Sequence, residues 1–406
     1  MAINLFSGAG AWCRILGAAA LCGGLAGPGA AQTASANTPL PVPIGWLKIE
    51  QPAPPILSNL APPPADRGLA GARLGREDNA TTGAFMGHDY SLTETRVPEG
   101  GDALAAARAA LAQTPFLLVD APAETLTRIA DLPEARGALI FNVARGEDGL
   151  RGADCRANLL HTAPSDSMLT DALMQFIAWR KWSDLVLIEG SHPGDAGFSA
   201  ALEASATKFG QKIGARKTWA FDADMRRNAS AEVPLFTQDF GDYDLLLLSD
   251  TLDDFDRYIP FNTWLPRPTG GTEGIVPAAW SPSVEQSGAA QLQSRFTDLA
   301  GREMQAGDYA AWAAIRAVGE AVTRTNSADP ATLRDFLLSD QFQLAGFKGR
   351  PQSFRDWDGQ MRQPIPLVSD RAVVALAPIE GFMHQVTELD TLGTDRAESA
   401  CTAFSD

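Results

Sequence analysis

Four polar stretches in this 406-residue chain carry the residue types that hold or transform small molecules: Asp120-Ala121-Pro122, Asn142-Val143-Ala144, Glu189-Gly190-Ser191-His192-Pro193 and Asp250-Thr251-Leu252-Asp253-Asp254. Glu189, Ser191 and His192 form the densest group. As catalysts they would need Ser191 as nucleophile and His192 as base. Adjacent loop residues rarely face each other, and the Gly-x-Ser-x-Gly elbow is absent. As metal ligands, Glu189, His192 and Asp195, together with Asp250, supply oxygen and nitrogen donors, but at a spacing that matches no specific motif. As polar groups of a cleft they would orient a ligand. As structure, Pro193 and Asp195 would open and cap a helix. Asp120 is either a cleft carboxylate facing a cation or a turn residue before Pro122. Trp264 and Trp280 are stacking platforms for a flat aromatic or quinone ligand, or packing residues. Glu77-Asp78-Asn79 reads as a helix end, and His88, His161 and His384 read as isolated structural histidines. There is no Gly-x-Gly-x-x-Gly after a strand, no Walker loop, no His-Glu-x-x-His and no Cys-x-x-Cys. The expected ligand-binding residues are therefore Asp120, Ala121, Asn142, Glu189, Ser191, His192, Asp250 and Trp280, with no catalytic residue and no cofactor.

Each of the four stretches follows a short apolar run, namely Phe116–Val119, Ala138–Phe141, Asp184–Ile188 and Tyr243–Ser249. Helical patterns lie between these runs, at Asp102–Ala112, Ala123–Leu132, Ser165–Trp179 and Ala196–Phe209. Short buried strands alternating with helices make parallel sheets covered on both faces. In such sheets ligands sit beyond the carboxyl ends of the strands, where the four stretches fall. A first strand is expected at Ile44–Glu50, a helix from Asp66 that ends at Ala80-Thr81-Thr82-Gly83, and a second strand at Tyr90–Val97. Later elements are a strand at Ile213–Phe221, a helix near Ser230–Thr237, a strand at Gly274–Trp280, a helix at Glu285–Phe296, a helix from Asp308 to Arg324 and another opened by Asp329-Pro330. Asp358-Gly359 reads as a hairpin turn, and Arg371–Ala377 as the last strand. The βα series restarts after His161-Thr162-Ala163-Pro164, which marks a boundary between two halves.

Residues 1–31 hold one charge, Arg14, then an apolar run from Ile15 to Leu25 and small residues at Gly29-Ala30-Ala31. This is the pattern of a secretory signal peptide. The run is too short for a membrane anchor, and no other stretch is long and apolar enough to span a bilayer, so the chain is expected not to be membrane-embedded. Residues 32–43 read as a disordered lead-in. The whole chain has 33 basic and 49 acidic residues and a net charge of −16; loss of Arg14 with the signal makes it −17. That balance argues against nucleic acid or an anionic membrane surface as partner. Cys13 and Cys22 lie in the signal, which leaves Cys155 and Cys401, expected to pair in an exported protein. The bridge would tie the C-terminal tail to the first half.

The segment from Asp308 to Val368 carries a resemblance. A helix with Tyr309, Trp312, Ile315, Val318 and Val322 on one face is followed by Asp329-Pro330 with Leu333 and Leu337. A hairpin keeping Gly346, Gly349, Phe354, Asp358 and Gly359 comes next. This order resembles the closing segment of type I periplasmic solute-binding proteins of the leucine/isoleucine/valine-binding group. A narrower likeness lies in Leu74–Gly83, Gly152–Thr162, Glu189–Pro193 and Phe261–Pro266. These look like a subgroup of ABC-transporter binding proteins found with pyrroloquinoline-quinone (PQQ)-dependent alcohol dehydrogenase systems. The usual amino-acid pocket motif of the group, a Ser plus Ala-x-Thr, is replaced here by Asp120-Ala121-Pro122 and Asn142-Val143-Ala144.

The resemblance implies an α/β fold of two Rossmann-like lobes with parallel central sheets joined by crossover hinge strands. Lobe 1 would span 44–162 plus 272–340, lobe 2 would span 163–271 plus 341–380, and 381–406 would form a C-terminal tail. It implies a periplasmic receptor that closes on a small-molecule or metal-ion solute and presents it to an ABC transporter membrane permease. The alternatives are a ligand-free structural or sensory module that docks on a periplasmic enzyme or efflux system, and a metal-ion-binding receptor.

Overall fold

The computed structural model describes residues 38–52, 62–219 and 225–404. The expected signal peptide, Cys13 and Cys22 lie outside the described residues, as do 32–37 of the lead-in and the end of the strand expected to reach Phe221. The rest of the lead-in is ordered. Strand β1 begins at Leu40 and runs to Ile49, so Pro41 and Pro43 lie inside it. They are tolerated because the strand on that side pairs only from Ile44 onward, where a missing N–H costs no ladder bond.

The first sheet is built from β1, helix α1 (Leu69–Met86), β2 (His88–Val97), α2 (Ala103–Leu111), β3 (Phe116–Asp120), α3 (Ala123–Ala130), β4 (Leu139–Asn142) and β5 (Leu159–His161). All its strands are parallel, in the order β2-β1-β3-β4-β5. The second sheet follows with α4 (Asp166–Arg180), β6 (Asp184–Glu189), α5 (Pro193–Lys208), β7 (Lys212–Thr218), α6 (Met225–Thr237), β8 (Leu245–Ser249) and β9 (Thr269–Gly271), in the parallel order β7-β6-β8-β9. Then come β10 (Val276–Pro277), α7 (Ala289–Ala300), α8 (Ala306–Thr325), α9 (Pro330–Leu337), the hairpin β11 (Ser353–Phe354) and β12 (Met361–Arg362), and β13 (Ile365–Ser369) with β14 (Ala372–Ala377). Strand β13 pairs antiparallel with both β10 and β14.

Capping fixes several helix starts where the sequence places them. Asp102 accepts from Ala105 N at 2.9 Å, Ser165 from Met168 N at 3.1 Å, and Asp329, with Pro330 after it, from Thr332 N at 2.9 Å. Each sheet has a core on both faces. In the first, α1, α7, α8 and α9 cover one face and α2 with α3 the other. In the second, α4, α5, β13 and β14 cover one face and α6 the other. Leu245, Leu246, Leu247 and Leu248 of β8 are all fully buried; each contributes about 1.5–3 kcal/mol relative to an exposed side chain. Helices α1 and α8 approach unusually closely. A Cβ at Gly71 would collide with the carbonyl of Asp308, and one at Gly75 would press on Ile315 and the Trp312 carbonyl at 3.0–3.2 Å.

The chain passes between the two sheets three times. The first passage runs from β5 to α4 over 162–165. In the second, Ala278 N still bonds Pro366 O beside β10, while Trp280 lies in the first core. The third is at 363–364, between Met361 of the first core and Ile365 of the second. Residues 272–278 thus pack with the second sheet. Phe342, Leu344, Phe354 and Met361 pack with the first, although their stretch was expected in the second lobe. The first and third passages are bonded side by side: Gln360 Nε2 donates to His161 O and Ala163 O, Gln363 Nε2 to Thr162 O, and Arg151 Nε to Gln360 Oε1. Lys348 Nζ donates to Gln363 Oε1 at 2.6 Å. Burial holds this amine well below the ordinary lysine range, because no carboxylate accompanies it.

Candidate functional site

Both parallel sheets wind outward in two directions from their first strand. The strand order therefore reverses between β1 and β3 in one and between β6 and β8 in the other, and a crevice opens there at the carboxyl ends of the strands. The first mouth is formed by Glu50 and Gln51 after β1 and Asp120-Ala121-Pro122 after β3. The second is formed by Glu189–Pro193 after β6 and Asp250–Asp254 after β8. Asp120, Ala121, Glu189, Ser191, His192 and Asp250 thus lie at the two mouths. Asn142 lies one strand away, and Trp280 lies elsewhere.

At the first mouth Asp120 is half-buried, and its carboxylate makes no hydrogen bond or ion pair with any described residue. Ala121 is fully buried, and its carbonyl accepts from Arg145 Nε at 2.9 Å. That contact holds the half-buried Arg145 guanidinium against the end of β3, with its two terminal nitrogens uncommitted among the described residues. Helix α3 starts directly behind, with Pro122 as an N-cap that offers no side-chain acceptor. Its first N–H groups and the positive end of its dipole therefore stay available. Asn142 is fully buried and organises the neighbouring loop. Its Oδ1 accepts from Ala144 N and Arg145 N, while its Nδ2 donates to Arg145 O and meets His161 Nδ1 at 3.1 Å. All its polar side-chain atoms are engaged, so it offers none to a ligand and sets Arg145 in place. Arg145 was not among the expected residues: in Val143-Ala144-Arg145-Gly146 nothing distinguishes it from a solvated charge.

The second mouth is laced internally. Glu189 is almost buried and pairs with Arg216 of β7, Nε donating at 2.7 Å, and also accepts from Thr218 Oγ1. Burial alone would raise its pKa, but the hydrogen bonds and charge of Arg216, with the hydrogen bond from Thr218, bring it below the usual carboxylate range. Asp195 accepts from His192 N at 3.0 Å and from Thr251 N and Thr251 Oγ1 at 2.7 Å each, binding the β6 and β8 loops together. Ser191 and His192 are exposed. His192 is the N-cap of α5, its Nδ1 accepting from Gly194 N at 3.2 Å, so the helix-cap reading of this stretch holds at His192 and Asp195. Asp250 is buried, one oxygen accepting from Phe255 N and Asp256 N and the other left without a partner. Asp253, Asp254 and Asp256 follow, with Glu273 nearby. Burial, followed by the charges of Asp250, Asp253 and Glu273, pushes Asp256 up to about 8 despite a hydrogen bond from Thr272.

Trp280 is buried in the first core, stacked on Tyr309 at 4.9 Å and donating to Gln293 at 3.2 Å. It is a packing residue, because the chain has already crossed back when it reaches this position. Trp264 stays 59% exposed, its backbone N bonded to Thr237. Among the described residues no group of three or more His, Cys, Asp or Glu is placed to hold a metal ion, so Glu189, His192, Asp195 and Asp250 do not assemble as ligands. No described helix is long and apolar enough to cross a membrane. Cys155 and Cys401 are joined as expected. A groove of about 1310 Å³ runs between residues 338–343, the β11–β12 hairpin and the tail; none of the expected ligand residues lines it. No hydrogen bond or ion pair among the described residues joins the first mouth to the second.

No protein-family model and no curated protein matches this sequence. Solved structures do resemble it. A branched-chain amino acid ABC transporter periplasmic ligand-binding protein from Burkholderia xenovorans aligns at a TM-score of 0.69 and 16% identity, over 90% of this chain and 100% of that one. An ABC transporter substrate-binding protein from Desulfitobacterium hafniense in complex with Leu gives 0.61 and 16%, over 82% and 99%. A solute-binding protein of an ABC transporter from R. palustris, in complex with benzoate, gives 0.59 and 11%, over 89% and 99%. The two doubly wound parallel sheets, crossed three times by the chain, are the type I periplasmic binding protein fold.

Proposed function

We propose that this chain is the periplasmic solute receptor of an ABC transporter, exported by the signal at 1–31, and that its solute carries a carboxylate. The observation that carries the reading is the first mouth. There an anchored guanidinium with uncommitted nitrogens and an uncapped helix start flank Ala121, at the strand reversal where this architecture places ligands. Leu and benzoate, the ligands of two structures with the same fold, both bear carboxylates. Closure swings the second mouth over the first and is stabilised by the solute bound between them. The receptor then docks on a membrane permease, and no reaction is proposed. The likeness of Leu74–Gly83, Gly152–Thr162, Glu189–Pro193 and Phe261–Pro266 to receptors of PQQ-dependent alcohol oxidation puts two solute classes first: the quinone cofactor, itself a polycarboxylate, and the acids formed from alcohols. Asp120, beside Arg145, suits a solute that also carries a cationic or hydroxyl group.

A thermal-shift panel of aliphatic, aromatic and amino acids and PQQ tests this. A true solute at a hundred times its Kd adds about 2.7 kcal/mol of stability, a clear rise in the melting midpoint. Uniform silence across the panel, with native mass spectrometry of periplasm-derived protein also showing no retained small molecule, rejects the receptor reading. One observation favours a docking module instead: Glu189, Asp195 and one oxygen of Asp250 at the second mouth are already bonded within their own lobe. That reading expects silence in the panel and a protein partner in cross-linking.

A further inference from the structure

The C-terminal tail is bonded to both lobes within a few residues. On the first-lobe side, Asp390 takes Arg355 Nε at 3.0 Å and Arg362 Nε at 2.8 Å, both from the β11–β12 hairpin. Arg355 also donates to Leu392 O and Thr394 O, and Arg396 pairs with Asp356. On the second-lobe side, Leu392 is fully buried in the core under α4 and α5. Gly393 N donates to Asp171 Oδ2 at 2.7 Å, Lys208 Nζ to Gly393 O at 2.8 Å, and Gln175 Nε2 to Thr391 Oγ1 at 2.8 Å. The tail then returns to the first lobe, where Cys401 is bonded to Cys155 and Phe404 packs on the first core. Gly393 also lies against Ser165 at the first passage, a Cβ there reaching 3.6 Å from Ser165 Oγ.

We infer that this tail is a hinge brace: a fourth, disulfide-closed link between the lobes that limits how far they part when no solute is held. The inference rests on the two-lobed receptor reading. Rotation about the three passages must shear a segment whose Asp390 carboxylate and Leu392 carbonyl are held by one lobe and whose Leu392 side chain and Gly393 backbone are held by the other. The bridge at Cys401 keeps the tail from moving off with either lobe alone. Opening the bridge breaks no bond of either sheet or of the three passages and removes the covalent tie of the tail to the first lobe.

Hydrogen–deuterium exchange and small-angle scattering on the mature, solute-free protein test it, comparing the oxidised form, the mildly reduced form and the Cys155→Ser/Cys401→Ser double variant. The expected result is exchange several-fold faster at the amides of Thr162, Ala163, Ser165, Asp166, Gln363 and Ile365 and a larger radius of gyration in both unbridged forms, with strands β3, β4, β6 and β8 equally protected in all three. Lobes that move equally in bridged and unbridged protein overturn the brace and leave the receptor reading standing. Passages that are equally rigid in every form, in protein that also gives no shift with any solute, overturn both. The reduced wild type guards against a double variant that misfolds.

Discussion

The two mouths differ in what their charges are doing. At the first, among the described residues, the Asp120 carboxylate has no partner and the Arg145 guanidinium is anchored through one nitrogen only. At the second, Glu189, Asp195 and one oxygen of Asp250 are bonded within their own lobe. On the receptor reading proposed above, the first is prepared to meet a charged solute and the second is a prebuilt surface that covers it. A ligand group pairs more cheaply with an uncommitted ion than with one that must first leave a partner. Selectivity for solute charge should therefore lie in the first mouth and the rigidity of the closing surface in the second.

That contrast is breakable by mutation. The largest effect is expected from Asp195→Ala. It strips acceptors from His192 N, Thr251 N and Thr251 Oγ1, and the lost bonds and unpaired donors should cost about 3 kcal/mol of stability in denaturant melts. Next comes Arg145→Ala, expected to weaken binding of an acidic solute about 10- to 100-fold, as loss of a charged hydrogen bond implies, with little change in melting. A neutral solute that binds Arg145→Ala as well as wild type would show that the first mouth does not read charge. The third is a pH effect. Burial raises Asp256 to about 8 and Asp166 to about 7, so the folded chain holds protons that the unfolded chain releases near pH 4. Their contribution is therefore full at low pH and lost as pH rises through about 7 to 8. The melting midpoint should fall as pH rises from about 4 to about 8 and level off above that, and Asp256→Asn should flatten the fall. The smallest is Glu189→Gln: Arg216 is 39% exposed, and a pair so open to solvent is worth about 1 kcal/mol or less.

Much of the framework is legible in the sequence because buried parallel strands leave an unambiguous trace. Phe116–Val119 and Leu245–Leu248 are continuous apolar runs, and each strand turns polar only at its carboxyl end, at Asp120 and Ser249. The failures have local causes. Thr81, Thr82 and Gly83 read as a helix stop, yet α1 continues to Met86, because Gly83 serves close approach: a Cβ there would press on the Tyr90 ring at 2.8 Å. The helix expected from Glu285 begins at Ala289, since Ser287 and Gly288 take left-handed conformations with φ 57° and 81°. The strand expected over Gly274–Trp280 shrinks to Val276–Pro277 because the chain changes lobes there. The mouths were found by the rule for strand ends, but which of their residues are free depends on partners distant in sequence. Glu189 is occupied by Arg216 and Arg145 is held by Ala121, and neither pairing leaves a local pattern.

The glycine seam between α1 and α8 sets where movement is possible. With the Gly71 backbone seated directly on the Asp308 carbonyl, neither helix has room to slide or tilt on the other, so the first lobe turns as one rigid block. Whatever angle the proposed receptor sweeps in closing must be absorbed by the torsions of a handful of linking residues. Bulk added anywhere along that seam would cost stability without changing the sweep, whereas a proline or glycine exchanged in the links would change the sweep and leave the block untouched.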